Sequence, residues 1–144
     1  MKNLVKKLTI PQLDSSRELG FLVLRAGIGA LFLYIGLTKI MAGPDVWEKV
    51  GSALSIFGIN FAPTFFGLVA AITEFAGGIL LFLGGFTRLA AFFLAGTMVV
   101  ATVLKFTTVG FPDAGYPLTM LIIMVSYMIA GAGPYSIDAI LKKK

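Results

Sequence analysis

The sequence predicts an all-α membrane protein: a bundle of four transmembrane helices, with a short interfacial amphipathic helix between the first and second spans. Three observations carry this prediction. Of 144 residues, 58% are hydrophobic and only 13% are charged, whereas a soluble domain carries about 25% charged residues. The mean hydropathy is +0.94. The apolar residues also gather into four runs, each close to the roughly 20 residues a helix needs to cross a bilayer core. At about 100–200 residues per domain, the chain is read as a single domain, residues 1–144.

The first span is read over residues 20–42, GFLVLRAGIGALFLYIGLTKIMA. It is too long for a signal-peptide core and no small-residue cleavage site follows, so it is read as retained. Ser15-Ser16-Arg17-Glu18 matches a capping box before it. The connector that follows opens a new helix at Pro44-Asp45-Val46-Trp47-Glu48, with Asp45 as cap. Val46, Trp47, Val50, Leu54 and Phe57 then recur at helical spacing. This segment reads either as a helix in the membrane interface anchored by Trp47 or as a helix packed on the bundle ends.

The second span is read over residues 61–85, with Pro63 in its first turn and Glu74 as its one charge. The third, residues 87–106, follows the turn Gly84-Gly85-Phe86-Thr87, with Thr87 as N-cap. The fourth, residues 116–132, follows a loop over Gly110–Gly115. Gly131, Gly133 and Pro134 stop it. The first fourteen residues, MKNLVKKLTIPQLD, read as a surface-lying basic helix or a frayed terminus.

Composition excludes much chemistry. There is no cysteine and no histidine, so disulfides, thiolate nucleophiles and the commonest general base and metal or haem ligand are missing. No metal site and no intrinsic cofactor are expected. The net charge of +5 does not signal nucleic acid, which requires basic residues gathered on a soluble face; here they sit at span ends. Lys2, Lys6, Lys7, Arg17, Arg88, Lys142, Lys143 and Lys144 fall on the side of the termini, and only Lys39, Lys49 and Lys105 on the other. The positive-inside rule then puts both termini in the cytoplasm.

Charges within the hydrocarbon cost about 2.5–3.5 kcal/mol on insertion scales and usually face the protein interior. Arg25 and Glu74 are therefore the most informative residues. Arg25, Gly29, Phe32, Gly36 and Lys39 form one stripe on the first span; Gly67, Ala71, Glu74, Gly78 and Leu81 form another on the second. Depth counted at about 1.5 Å per residue leaves an axial gap of roughly 8 Å between Arg25 and Glu74, so these two are expected to pair. Asp138 is the rival partner for Arg25, and Arg88 is also within reach of Asp138. Lys39 and Lys105 are expected to snorkel to the far surface. The Arg25–Glu74 pair reads either as a device that fixes helix register or as a polar site. In the second case Glu74, hydrogen-bonded to Tyr34, Thr73 or Tyr127, relays a proton or contacts a quinone-like headgroup. Thirteen Phe and six Met are read as lining lipid and core.

The ordered set Leu24-Arg25, Gly36-Leu37-Thr38-Lys39, Glu74-Phe75-Ala76-Gly77-Gly78-Ile79-Leu80-Leu81, Gly84, Thr87-Arg88-Leu89-Ala90-Ala91 and Gly133-Pro134-Tyr135-Ser136-Ile137-Asp138 resembles the DoxX family of small four-helix membrane proteins. The resemblance implies a place in the bacterial or archaeal cell membrane. It also implies kinship with subunits of a thiosulfate:quinone oxidoreductase and a terminal quinol oxidase, and with membrane complexes that handle thiol and oxidative stress. Arg25, Lys39 and Glu74 are then candidates for an intramembrane polar site, and Arg88, Ser136 and Asp138 for a charge cluster on the termini side. The leading expectation is an accessory or anchoring subunit of a quinone-linked redox complex, with a quinone or lipid pocket and a soluble oxidoreductase as partner. The alternatives are a stand-alone carrier of lipid or another apolar molecule, and a structural bundle. Membrane lipid is a partner in every case, and the Gly-rich faces allow a homo-oligomer.

Overall fold

The computed structural model describes the backbone of residues 13–143 and the side chains of residues 16–143. The expectation for the N-terminal basic segment falls, as far as residue 12, outside the described residues. Six α-helices follow in order: α1 (Leu13–Ala42), α2 (Pro44–Gly51), α3 (Pro63–Leu83), α4 (Thr87–Thr108), α5 (Phe111–Ala130) and α6 (Ile137–Leu141). A 3₁₀ turn over Ser52–Phe57 extends α2. Among the described residues, helices α1, α3, α4 and α5 are the four long enough and apolar enough to span a membrane.

Only 28–33% of the residues in each span's most apolar window are buried within the protein. The outward faces are nonetheless apolar: Val23, Phe65, Phe92 and Ile129 are all more than half exposed. A helix bundle built for water turns polar residues outward. This one turns hydrocarbon outward, and its backbone polar groups are satisfied within the helices, as a bilayer requires. The chain is an integral multi-pass membrane protein.

The core is narrow, with Phe32, Leu81, Leu94, Met98, Met124 and Tyr127 at its centre. Helix α1 packs closely on α3, and α4 packs closely on α5. The first contact depends on small residues, because a Cβ at Gly36 would run into the backbone of Phe75, and one at Gly29 into that of Phe82. Such approach of bare backbones is the usual basis of helix association in lipid. It also fixes the antiparallel register: Gly29 lies against Gly78 and Phe82, and Gly36 against Ala71 and Phe75.

Element boundaries differ from the sequence reading in explicable ways. Helix α1 is already helical at Leu13, so the Ser15–Glu18 box is not its start. The fourth span begins at Phe111, not Tyr116, because Pro112 stands in the first turn, where amides lack partners anyway. Val109 and Gly110 make the turn, with Gly110 at φ 112°. The N-cap of α4 is Phe86, and Thr87 makes no side-chain cap; Gly43, not Asp45, caps α2. Helix α2 packs against α3. The half-buried Trp47 donates its indole N–H to the Lys39 carbonyl at 2.8 Å. That carbonyl is one of the four left free at the end of α1, so the indole acts as a C-terminal cap.

Candidate functional site

Arg25 and Glu74 do not pair. Close packing of α1 on α3 sets Arg25 level with Gly84, since Gly29 already faces Gly78 and Phe82. Glu74 then lies about ten residues, or about 15 Å, further along the axis, beyond the reach of a guanidinium. The polar residues instead divide into two clusters at opposite ends of the bundle.

The cluster at the termini end is a lock built around Arg25. Its guanidinium donates to the Ala132 carbonyl and, at 2.7 Å, to the Tyr135 carbonyl. Both acceptors lie in the non-helical strap between α5 and α6, whose carbonyls have no helix to satisfy them. Arg25 is 2% exposed. Gly84, with φ 71°, leaves no space beside it: a Cβ there would sit 2.6 Å from the guanidinium carbon and from the Ser136 Cβ. Ser136 caps α6, accepting from the Ala139 N–H and donating to the Gly133 carbonyl.

Asp138 is not the partner of Arg25 either. Its carboxylate accepts the backbone N–H groups of Phe86 at 2.7 Å and Thr87 at 2.9 Å, and its own N–H donates to the Gly84 carbonyl. It therefore supplies in trans the cap that α4 lacks. Burial pushes this carboxyl upward, but the hydrogen bonds from Thr87 and Phe86, together with nearby Lys142, outweigh burial and hold it below the usual carboxylate value. Arg88 donates to the Ile129 carbonyl at 3.1 Å rather than pairing with Asp138. A shallow cleft of about 410 Å³ runs between them.

The cluster at the far end is an ion pair. Lys39 does not snorkel. Its ammonium turns inward and contacts both oxygens of Glu74, at 2.8 and 2.6 Å. A lysine leaving a helix leans toward the helix N-terminus, which here carries Nζ from the last turn of α1 back to the level of Glu74. The exposure is unequal, with the Lys39 side chain 27% exposed and that of Glu74 3%. Tyr34, Thr73 and Tyr127 are not the partners of Glu74. Tyr127 donates to the Phe21 carbonyl at 3.3 Å and ties α5 to α1.

Two cavities meet at this pair. A lateral pocket of about 470 Å³ lies between α3 and α4 under the α2 segment. Its walls are mostly apolar, with Phe66, Val69, Phe93, Val100 and Leu104, and its polar side chains are Lys39, Lys49, Thr73, Glu74 and Thr97. Val69 and Phe93 are exposed on the lipid-facing side, so the pocket opens toward lipid. An axial cavity of about 220 Å³ lies within the bundle, between Phe32, Ile35, Met98 and Pro117. Lys39 and Glu74 line it as well, and Lys105, Asp113 and Tyr116 line it toward the far end. Sequence reasoning named Lys39 and Glu74 as candidates but did not pair them, and it did not single out Asp113 or Tyr116 as lining the same space.

A comparison with protein-family models matches the DoxX model to residues 20–132. Among curated proteins, one from Bacillus subtilis (strain 168) with the name "Putative oxidoreductase CatD" is 26% identical over 132 residues, which is 91% of this chain and 93% of that protein. No solved structure matches the chain.

Proposed function

The chain belongs to the DoxX family, and from that premise we propose that it is a membrane subunit of a quinone-linked redox complex, with the quinone headgroup seated at Lys39–Glu74. The observation that carries this reading is the lateral pocket. It is apolar, open toward lipid and about 470 Å³ in volume, and its polar atoms include a buried ion pair. Ligand sites generally combine apolar walls with a few placed polar groups in about 300–1,000 Å³. The name of the B. subtilis relative agrees with a redox setting.

The residues fit such a guest. An ammonium carries three N–H donors. Two of them face Glu74, which leaves one for a carbonyl oxygen. Glu74 holds the ammonium in place and is itself a proton acceptor beside the same oxygen. Phe66 and Phe93 flank the space with faces suited to a flat ring. A bound quinone would carry electrons and protons between the pocket and other members of the complex. The chain has no histidine or cysteine to hold the usual redox centres, so a soluble oxidoreductase would supply them. The excess of Lys and Arg on the termini side sets that side toward the cytoplasm of a bacterial or archaeal cell, where such a partner would dock.

The test uses Trp47, the single tryptophan of the chain. Residues 49–51 just after it line the pocket. A short-chain quinone titrated into the detergent-purified protein is expected to quench Trp47 fluorescence with saturation. Gly96 also lines the pocket, and its Cβ direction is open; Gly96→Phe is expected to abolish the saturable component. Equal, non-saturating quenching in both proteins contradicts the reading. Native mass spectrometry of the purified protein adds a second arm: a co-purifying phospholipid in place of quinone would favour a lipid carrier.

A further inference from the structure

The ion pair stands in the wall of both cavities, and this has a chemical consequence. The axial cavity reaches from Phe32 and Met98 past Lys39 and Glu74, between α1, α4 and α5, to Lys105, Asp113 and Tyr116. These last three are exposed at the far end of the bundle. Its deep wall is formed by Phe32 and Met98, 1% and 6% exposed. We propose that the axial cavity is a water-filled proton path joining the Glu74 carboxylate to the aqueous phase at the far end alone.

The volume and the lining both support this. A liquid water occupies about 30 Å³ and is held in a protein interior only where it finds two to four polar partners. A cavity of about 220 Å³ holds several, and Lys39, Glu74, Lys105, Asp113 and Tyr116 supply polar partners between its apolar deep wall and the far end. The charged and titratable groups facing Glu74 around the two cavities are Lys39 from α1, Lys49 from α2, Lys105 from α4, and Asp113 and Tyr116 from α5. Toward the termini end the same interior is closed by Ile28, Leu81, Leu94 and Met124, all buried. Carboxylates within membranes commonly serve such proton relays. With respect to a guest in the lateral pocket, the inference rests on the quinone reading: protons leaving or reaching that guest through Glu74 would exchange with the far side only.

The test exploits a chain without native cysteine. Met98→Cys places a thiol on the axial cavity wall, and Leu94→Cys, at a fully buried position one turn away, serves as control. Ala101→Cys, which also lines the cavity, is the second probe should Met98→Cys fail to fold. Thiols react as thiolates, which need water. A membrane-impermeant methanethiosulfonate is therefore expected to modify the cavity thiol at least about tenfold faster than the control. The full-length protein is presented in sealed vesicles of both orientations, and modification is expected only from the face bearing α2 and the α4–α5 turn. A cavity thiol as inert as Leu94→Cys, though reactive once denatured, overturns the path. Labelling from the termini face, or equally from both faces, overturns its sidedness. Trp47 quenching on the same preparations separates the two ideas. Labelling without saturable quenching keeps the path and removes the quinone, and quenching without labelling does the reverse.

Discussion

The two cations that turn inward, Arg25 and Lys39, differ in what surrounds them. Arg25 faces backbone carbonyls in a space so close that Gly84 cannot carry a side chain. Lys39 faces a carboxylate, keeps about a quarter of its side chain exposed, and borders two cavities. The first arrangement completes the hydrogen bonds of a strap and leaves no room for a guest. The second holds a neutral pair with donor capacity to spare. Open space beside the charge, rather than burial alone, separates Lys39–Glu74 from Arg25, and on that ground the ion pair is the one we propose as the site.

The largest effect is expected at Arg25. Arg25→Ala removes two charge-assisted hydrogen bonds and strands the Ala132 and Tyr135 carbonyls, at about 1.5–3 kcal/mol for each bond. Thermal unfolding in detergent should show a loss of about 3–6 kcal/mol, and Arg25→Lys should recover only part of it, since an ammonium lacks the planar fork. A wild-type melting curve for Arg25→Ala would remove the lock.

The next effect separates the clusters by their response to a second change. Lys39→Met leaves the Glu74 carboxylate unpaired in the interior. Breaking a buried pair costs about 3–5 kcal/mol, and the partial exposure of Lys39 lowers the expectation to about 2–3 kcal/mol. Deleting both charges in Lys39→Met/Glu74→Leu should restore stability to within about 1 kcal/mol of the native protein. Among the described residues Arg25 has no carboxylate partner whose removal could compensate in this way. A double variant no more stable than Lys39→Met would mean that the pair is not coupled.

The smallest effect lies at the cap. Asp138→Ala should destabilise the protein by about 1 kcal/mol at neutral pH, the usual worth of an N-cap. The folded-state carboxyl sits below its ordinary value, so its contribution is complete above the unfolded value near 3.8 and is lost as pH falls through the lower folded value. The stability gap between native protein and Asp138→Ala should therefore close in acid. A gap that persists below that range would assign the effect to packing.

The sequence made some of this legible and left the rest out of reach, for physical reasons. Span positions follow from local hydropathy, because an apolar run of about 20 residues shows in the sequence whatever it packs against. The stripe Arg25, Gly29, Phe32, Gly36, Lys39 was also readable, because helical periodicity fixes which residues share a face. Its partner was not. Counting depth from the apparent span ends gave Arg25 and Glu74 a small axial gap, whereas register is set by where backbones touch, and Gly29 and Gly36 touch α3 at Phe82 and Phe75. Lys39 was expected to turn outward, because snorkelling is the ordinary fate of a lysine near a span end. Only the fold shows its ammonium turned back to Glu74. The Asp138 cap joins segments some fifty residues apart, and no local signal announces it.

The most direct measurement is saturable quenching of Trp47 by a short-chain quinone in three proteins: native, Lys39→Met/Glu74→Leu and Gly96→Phe. Each is first checked for a cooperative melt. The ion-pair site predicts saturation in the native protein only, with the double variant stable yet unable to bind. Saturation that survives in the double variant would contradict the account.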